Sequence, residues 1–589
     1  MTIERLKTDI LILGSGGAGL FAALHAFKAN PDLDITVAAK GLLGKCGCTR
    51  MVQGGYNVAL HPGDSVERHF MDTIEGGKWL PHQELAWTLV STAVERVREL
   101  ENEIGCFFDR NPDGTLHGKA FAGQSFDRTV HKGDLTGIEI VNRLMEQVWA
   151  RPIRRLEEHR AVTLIPGSEG ALAGVLMIDM RTGAFRFIAA QAVLLATGGG
   201  PTMYRYHTPS GDKSMDGLAM ALRAGLPLRD MEMVQFHPTG LLAGPDTRMT
   251  GTVLEEGLRG AGGHLLNGAM HRFMGDYDEK LERATRDVVS RAIYTEMKAG
   301  RTTPNGGVYI KMSHLGPDNV AKEFKGMVDR CRDCGFDLAG GLVEVVPTAH
   351  YFMGGVICGA DTSTNWPGLF VAGEDASGMH GANRLGGNGV ANSTVFGGIA
   401  GDLMPRWIGT NPGHRSPDER VLEAEVQRAL HPFTREGGNL NDLREKLLDT
   451  MWEDVGVIRG RTGLDRAIAA LDAIEAELLT TGVAEENRAF NLTWHDWLNL
   501  RSLVEVSRAI ALAALKRENS RGAHFRSDFP EPGDLASSRF TVARQTAGGL
   551  EITEEPVQFT RVRPGETLLP GSRTITVSAA ERGSGIAAE

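Results

Sequence analysis

The residues best placed to do chemistry begin at Gly14-Ser15-Gly16-Gly17-Ala18-Gly19, a G-x-G-x-x-G run. The apolar stretch Asp9-Ile10-Leu11-Ile12-Leu13 precedes it, and an Ala/Leu/Phe-rich helical pattern follows from Gly19 to Asn30. The run therefore sits at a strand-turn-helix junction, the setting that gives an otherwise weak motif its meaning. There the first glycine makes the turn, the second lets a pyrophosphate approach the backbone, and the helix amino end stabilises the ligand's charge. A dinucleotide site also calls for an acid about 20 residues on to hold the adenosine ribose. Here the next strand ends Ala38-Ala39-Lys40, which counts against NAD and leaves NADP, through Lys40, open. Two cysteine pairs, Cys46/Cys48 spaced C-x-C and Cys331/Cys334 spaced C-x-x-C, lack the second matched pair that a zinc site needs. They are expected to be reduced structural thiols, and no metal site is expected.

These residues need a scaffold that brings distant segments together. A second strand, Ile35 to Ala39, follows Pro31-Asp32-Leu33-Asp34, so the opening reads as a βαβ unit of a doubly wound sheet. The apolar run Ala190 to Ala196 ends in Thr197-Gly198-Gly199-Gly200, and Gly368 to Gly373 runs into Glu374. These three strand ends are expected to converge on one ligand at the carboxyl edge of the sheet. The pattern changes between Met249 and Val345, and residues 416 to 520 run helical, with core-facing spacing in Arg420 to Leu430, Leu443 to Met451 and Leu500 to Leu515. The expected fold is α/β: a discontinuous nucleotide-binding domain (1–248 and 346–410), an inserted α+β capping domain (249–345), a helical domain (411–530) and a C-terminal segment (531–589). Within that last segment Val557 to Val562 reads as a strand, and Ser578 to Glu589 as loose.

At 589 residues the chain exceeds what one core organises. Lys and Arg number 63 against 74 Asp and Glu, a formal net charge of −11 with no basic tract, which argues against nucleic acid. No apolar run approaches the roughly 20 residues needed to span a bilayer, and Met1 to Thr8 lacks the apolar region of a signal peptide. A cytoplasmic protein is expected, with self-association left open.

Four further segments narrow the cofactor: Gln53-Gly54-Gly55, Ala196-Thr197-Gly198-Gly199, Asp216-Gly217 and Gly368-Leu369-Phe370-Val371-Ala372-Gly373-Glu374. They resemble the FAD contacts of the flavoprotein subunits of succinate dehydrogenase and fumarate reductase, a family that also contains L-aspartate oxidase. The likeness runs in order from about residue 8 to residue 530. It implies FAD, with Gly14, Ser15, Gly16, Gly17, Ala18 and Gly19 at the pyrophosphate, Lys40, Gly54 and Gly55 along the cofactor, and Asp216 and Glu374 on its hydroxyls. Where many members have a Ser-Leu pair at the flavin, this chain has Gly389-Val390, which keeps backbone contacts and loses a hydroxyl. Where many have a Ser-His-Thr whose histidine bonds the flavin covalently, this chain has Gly47-Cys48-Thr49. Noncovalent FAD beside Cys48 and Thr49 is therefore expected, with attachment through the Cys48 sulfur as the alternative.

Three longer runs match family signatures: Gln235-Phe236-His237-Pro238-Thr239-Gly240, Pro347-Thr348-Ala349-His350-Tyr351-Phe352-Met353-Gly354-Gly355 and His380-Gly381-Ala382-Asn383-Arg384-Leu385-Gly386-Gly387-Asn388. A lone histidine is more often structural than catalytic; each of these stands inside its own long signature. The resemblance implies that His350 and Arg384 clamp one carboxylate of a small dicarboxylate and His237 the other, the guanidinium fork suiting a carboxylate. Arg286, opening Arg286-Asp287-Val288-Val289-Ser290-Arg291, would give or take the proton, fed through Glu256 and Arg259. One departure bears on the substrate. Where the family has Thr-Glu-Gly this chain has Glu255-Glu256-Gly257, and an ionised Glu255 cannot donate to a carboxylate and would repel it. Either the substrate presents a donor at that end, or Glu255 turns away or is protonated, so a succinate-like compound is expected rather than succinate itself. Arg517-Glu518-Asn519-Ser520-Arg521-Gly522-Ala523-His524-Phe525-Arg526-Ser527-Asp528-Phe529-Pro530 resembles a further signature, and the 59 residues beyond it favour a partner, an iron–sulfur electron-transfer subunit. Such a partner would hold the chain peripherally at the inner face of a membrane.

The resulting expectation is an FAD enzyme that exchanges a hydride with the carbon skeleton of a succinate- or fumarate-like carboxylate. Two alternatives stand beside it: an aspartate-oxidase-like flavoprotein acting on a C–N bond, and a nucleotide-binding or electron-carrying subunit without chemistry of its own.

Overall fold

The computed structural model describes residues 2–570 apart from 168, 169 and 246. Its first strand, Glu4–Leu13, is longer than the apolar run that announces it, because the outer residues Glu4 to Lys7 pair with Arg186 to Ala189 at the sheet's far end. Helix Gly17–Ala29 crosses over to Ile35–Ala38, which lies parallel to the first strand. Ala184–Leu195 flanks the first strand on its other side and carries Leu369–Val371 on its own far side. Leu13, Leu195 and Val371 thus stand in register. The three strand ends converge as expected, leaving Gly14, Ala196 and Ala372 at one edge.

Glycine at two positions makes this edge possible. A side chain on Gly14, whose φ is +118°, would place its Cβ 2.0 Å from the Ala196 carbonyl oxygen, and one on Gly19 would lie 2.0 Å from the Gly14 carbonyl oxygen. Only bare backbone fits between strand and helix. Helix Asn388–Thr410 packs on Gly17–Ala29 at similar closeness, Gly397 over Ala18 and Gly401 over Ala22. This contact holds Gly389 and Val390 beside the glycine-rich turn.

Val234–Leu241 and Leu342–Phe352 pair antiparallel, with His237 opposite Thr348, and continue into a four-stranded sheet through Val308–Lys311 and His264–Leu266. Over this sheet lies a second apolar core that includes Leu254, Phe273, Ile293, Ile310 and Val343. The helical region comprises Glu419–Leu430, Leu440–Asp454, Arg461–Thr480 and Leu492–Lys516, with Trp494 and Trp497 fully buried on the last.

The C-terminal segment corrects one expectation. Its strands are Arg539–Thr546 and Gly549–Pro556, whereas 557–562 forms none. Val557 and Val562 are buried as their types demand. The Gln83 side chain, however, accepts from the Arg561 and Val562 amides and donates to the Val562 carbonyl, so a side chain satisfies backbone that a ladder would otherwise have to satisfy. Ser578 to Glu589 lies outside the described residues. Among the described residues no helix is long and apolar enough to cross a membrane.

Candidate active site

Two adjoining cavities open at the converged strand ends. The first, about 950 Å³, is lined by Gly14 to Ala18, Lys40, Cys48, Thr49, Asp216 and Glu374; Gly19 packs behind the turn rather than on the cavity wall. The second, about 880 Å³, is lined by Gly54, Gly55, Gly389 and Val390 on one side and by His237, Glu255, Glu256, Arg286, His350 and Arg384 on the other. Cys48, Thr49, Glu374 and Ser393 border both. The Gly17 amide donates to Thr49 Oγ1 at 3.1 Å, closing the strap over the turn. An extended dinucleotide fits this shape: a glycine cradle at a helix amino end for phosphate, then a passage past Thr49 into a chamber with a reactive wall.

Charge at the first cavity is internally matched. Lys40 Nζ donates to Asp216 Oδ2 at 3.0 Å, and Arg160 Nη2 to Asp216 Oδ1 at 2.6 Å. Burial pushes Asp216 up, yet Arg160 and Lys40 outweigh it and hold the carboxyl well below its ordinary value. Asn499, reaching in from helix Leu492–Lys516, accepts from Lys40, Arg160 and Ser214. Arg160 and Asn499 stand in no motif and leave no signal in the sequence. Glu374, buried and with few partners, is pushed up to about 7, and burial, then Glu374, pushes the Cys48 thiol up to about 12. At neutral pH Cys48 is a thiol, the form that does not act as a nucleophile.

At the second cavity Arg286 Nε and Nη2 both donate to Glu256 Oε2, at 2.9 and 2.5 Å, while Nη1 donates to Gln235 Oε1 at 3.0 Å. Gln235 Oε1 also accepts from Arg384 Nη2 at 3.1 Å. One amide oxygen therefore spaces two like-charged guanidiniums, and its own NH₂ is fixed by Asn383 Oδ1 and the Arg384 carbonyl. Gln235 is visible in the signature, but this bridging role is not. Arg384 also lies 4.5 Å over the Tyr351 ring. Burial and then Arg286 lower Arg384 to about 10, so it stays cationic.

The histidines are neutral donors. Burial, then Arg286, holds His237 and His350 well below their ordinary values. His237 Nδ1 faces the Thr239 amide at 3.3 Å. An amide can only donate, so Nδ1 accepts and Nε2 carries the proton. His350 Nδ1 is fixed by the Thr208 hydroxyl at 2.9 Å. Behind Arg286, Glu256 Oε1 lies 3.5 Å from Arg259 Nη2. Burial raises Glu256, but Arg286 and Arg259 hold it below the ordinary carboxyl value. Glu256 also borders a separate cleft on its far side, shared with Arg259, Asp72, Glu75 and Lys280. Glu256 and Phe121 line both and form the wall between that outer cleft and the inner cavity, with Arg259 on the outer side. Glu255 does not turn away: it lines the cavity, only 3% exposed, with Lys119 Nζ 3.5 Å from its Oε2.

The comparisons agree with this geometry. The family model described as FAD binding domain matches residues 9–390, and that described as fumarate reductase flavoprotein C-term matches 444–574. The chain is 34% identical over 582 residues to the fumarate reductase flavoprotein subunit of Mycobacterium tuberculosis, covering 95% of this chain and 98% of that one. It is 32% identical to the fumarate reductase flavoprotein subunit of Escherichia coli, with 97% of each covered. The solved E. coli quinol fumarate reductase FrdA superposes with a TM-score of 0.90 at 32% identity over 96% of this chain and 99% of that one. With an FAD-binding domain, a helical C-terminal region and these relatives over nearly its whole length, the chain belongs to the fumarate reductase and succinate dehydrogenase flavoprotein family of FAD-dependent oxidoreductases.

Proposed function

We propose that this enzyme interconverts the saturated and unsaturated forms of a small succinate- or fumarate-like carboxylate, with Arg286 as proton donor and acceptor. The observation that carries the reading is the single Gln235 oxygen joining Arg286 to Arg384 at the cavity wall. It sets a proton-handling group and a carboxylate-binding group side by side. FAD, when bound, supplies the two-electron chemistry at the substrate carbon. Arg384 and His350 hold a carboxylate, the planar fork fixing its orientation. Drawing charge onto that carboxylate polarises an adjoining C=C bond. Arg286 then meets the neighbouring carbon. Deprotonating a guanidinium is costly, and Glu256 with Arg259 lets a replacement proton arrive from the outer cleft.

Noncovalent FAD is the form proposed, supported by the direction in which burial and Glu374 move the Cys48 thiol, upward and away from the nucleophilic thiolate. The relatives' names as flavoprotein subunits support a partner subunit; an iron–sulfur electron-transfer subunit that holds the chain peripherally at a membrane is the partner proposed. The test is a panel of dicarboxylates, half-amides and aminocarboxylates added anaerobically to the FAD-loaded chain. The saturated acids should bleach the oxidised flavin or the unsaturated ones restore the colour of the reduced flavin. If aminocarboxylates alone bleach it, the enzyme oxidises a C–N bond instead; if no carboxylate changes it, the proposed reaction is wrong.

A further inference from the structure

Glu255 is a carboxylate on the inner cavity's wall that, unlike Glu256, is not bound to Arg286. The wall around His237, His350, Arg286 and Arg384 offers donors and positive charge; Glu255 offers an acceptor. Its placement follows from backbone pairing. Gly240 bridges Val253 antiparallel, and the Leu254 amide donates to the Thr239 carbonyl at 2.9 Å. Glu255 follows directly on this contact and lines the same cavity as His237. The Glu255 amide is engaged by Met327 Sδ, but its Oε2 has no hydrogen-bond partner although it is buried.

Lys119 forms an ion pair with that oxygen at 3.5 Å, and its ammonium also donates to the Gly133 carbonyl at 2.9 Å. Lys119 is absent from the cavity lining. It supplies countercharge to the carboxylate from outside the cavity. Arg330, the other nearby cation, is committed to the Val253 carbonyl. Asp134 adds negative charge on the same side, and burial raises Glu255 above the ordinary carboxyl value against the pull of Lys119. A buried acceptor without a partner is costly unless a ligand satisfies it.

Resting on the proposed function, we infer that this site is built for a substrate with a carboxylate at the Arg384 end and a carboxamide, or another group pairing an acceptor with a donor, at the Glu255 end. The match is one of donors and acceptors: His237 presents an Nε2–H donor and Glu255 a carboxylate acceptor on the wall of one cavity, and a primary amide offers the complementary C=O and N–H. A second carboxylate would meet His237 well and Glu255 badly. The inference concerns recognition alone and adds no chemical step.

The test compares fumarate with its monoamide, fumaramate, as substrates of the FAD-loaded full chain, and succinate with succinamate as ligands by calorimetry. Wild type should favour the monoamide in both kcat/KM and Kd by at least about tenfold, the scale of a mispaired buried polar group. Glu255→Thr should shift both ratios toward the diacid by at least about tenfold, and so should the same-shaped Glu255→Gln, which removes the charge with least risk to folding. Tighter binding of succinate than of succinamate by wild type overturns the inference, as do ratios that stay within about twofold across the variants. Failure of wild type to bind or turn over either kind of compound overturns the proposed function as well, so the two failures are distinguishable.

Discussion

Arg384 and Arg286 are both guanidinium groups in one cavity, but their surroundings separate their work. Arg384 makes one bond to Gln235 and one to its neighbour's carbonyl, and its Nε has no partner although buried. Each terminal nitrogen thus keeps one uncommitted N–H for a ligand. Arg286 is bound twice to a single Glu256 oxygen, and its remaining nitrogen is on Gln235. It is positioned by the protein whether or not substrate is present. Arg384→Lys keeps the charge and loses the fork, so KM should rise and kcat fall, with kcat/KM down by about a hundredfold or more. Steady-state kinetics check it, and unchanged parameters would move the substrate carboxylate elsewhere. At Gly389 there is little room for a side chain. A Cβ at that position would stand 3.0 Å from Arg384 Nη1 and 3.1 Å from Tyr351, crowding the fork.

At the scale of elements, two helices that carry the flavin-side wall, Gly17–Ala29 and Asn388–Thr410, are joined to a third, Gln83–Glu99, by a partly buried charge cluster. His25 of Gly17–Ala29 lies 3.0 Å from Asp402 of Asn388–Thr410 and 3.1 Å from Glu99 of Gln83–Glu99, and Arg96 pairs with Glu99 at 2.9 Å. Burial lowers His25, but its bonds to Asp402 and Glu99 outweigh that and raise it above the ordinary value; they also help depress Glu99 to about 2. The raised His25 stabilises the fold fully below its unfolded value of about 6.5 and loses that contribution as pH climbs through its folded value. His25→Gln should therefore lower the unfolding midpoint clearly at pH 6, by a cost on the order of 3 kcal/mol. The gap to wild type should narrow in alkaline buffer, and thermal unfolding across pH measures it. A gap independent of pH would show that His25 contributes packing and no charge.

These elements differ in how far the sequence reveals them. The strand ends at Leu13, Leu195 and Val371 are legible because each is a short apolar run closed by glycine. Helix Arg461–Thr480 does not stand out from the helical stretch around it. Val557 to Val562 misleads, because alternating apolar residues look alike whether a ladder or the Gln83 side chain satisfies their backbone.

For the molecule as a whole, the site belongs to no single segment. Residues from 14 to 499 meet at the two cavities, and the ones that sequence leaves out, Arg160, Asn499 and Lys119, sit on other segments and act by backing a residue that a motif exposes. Motifs expose residues that touch a ligand, because their neighbours in sequence are constrained with them. A supporting side chain from a distant segment leaves no local pattern. The central claim joins these parts: a carboxylate held at Arg384 receives its proton through Arg286 from the Glu256–Arg259 pair. The most direct measurement is anaerobic single turnover of the FAD-loaded, prereduced chain mixed with fumarate or fumaramate, in wild type and in Arg286→Gln. Arg286→Gln should retain FAD and bind the saturated acid or half-amide within a few fold of wild type, while flavin reoxidation slows by about a hundred- to ten-thousandfold, the range lost with a general acid. Reoxidation by Arg286→Gln at the wild-type rate would contradict the account and leave Arg286 as an ion pair that merely holds the wall together.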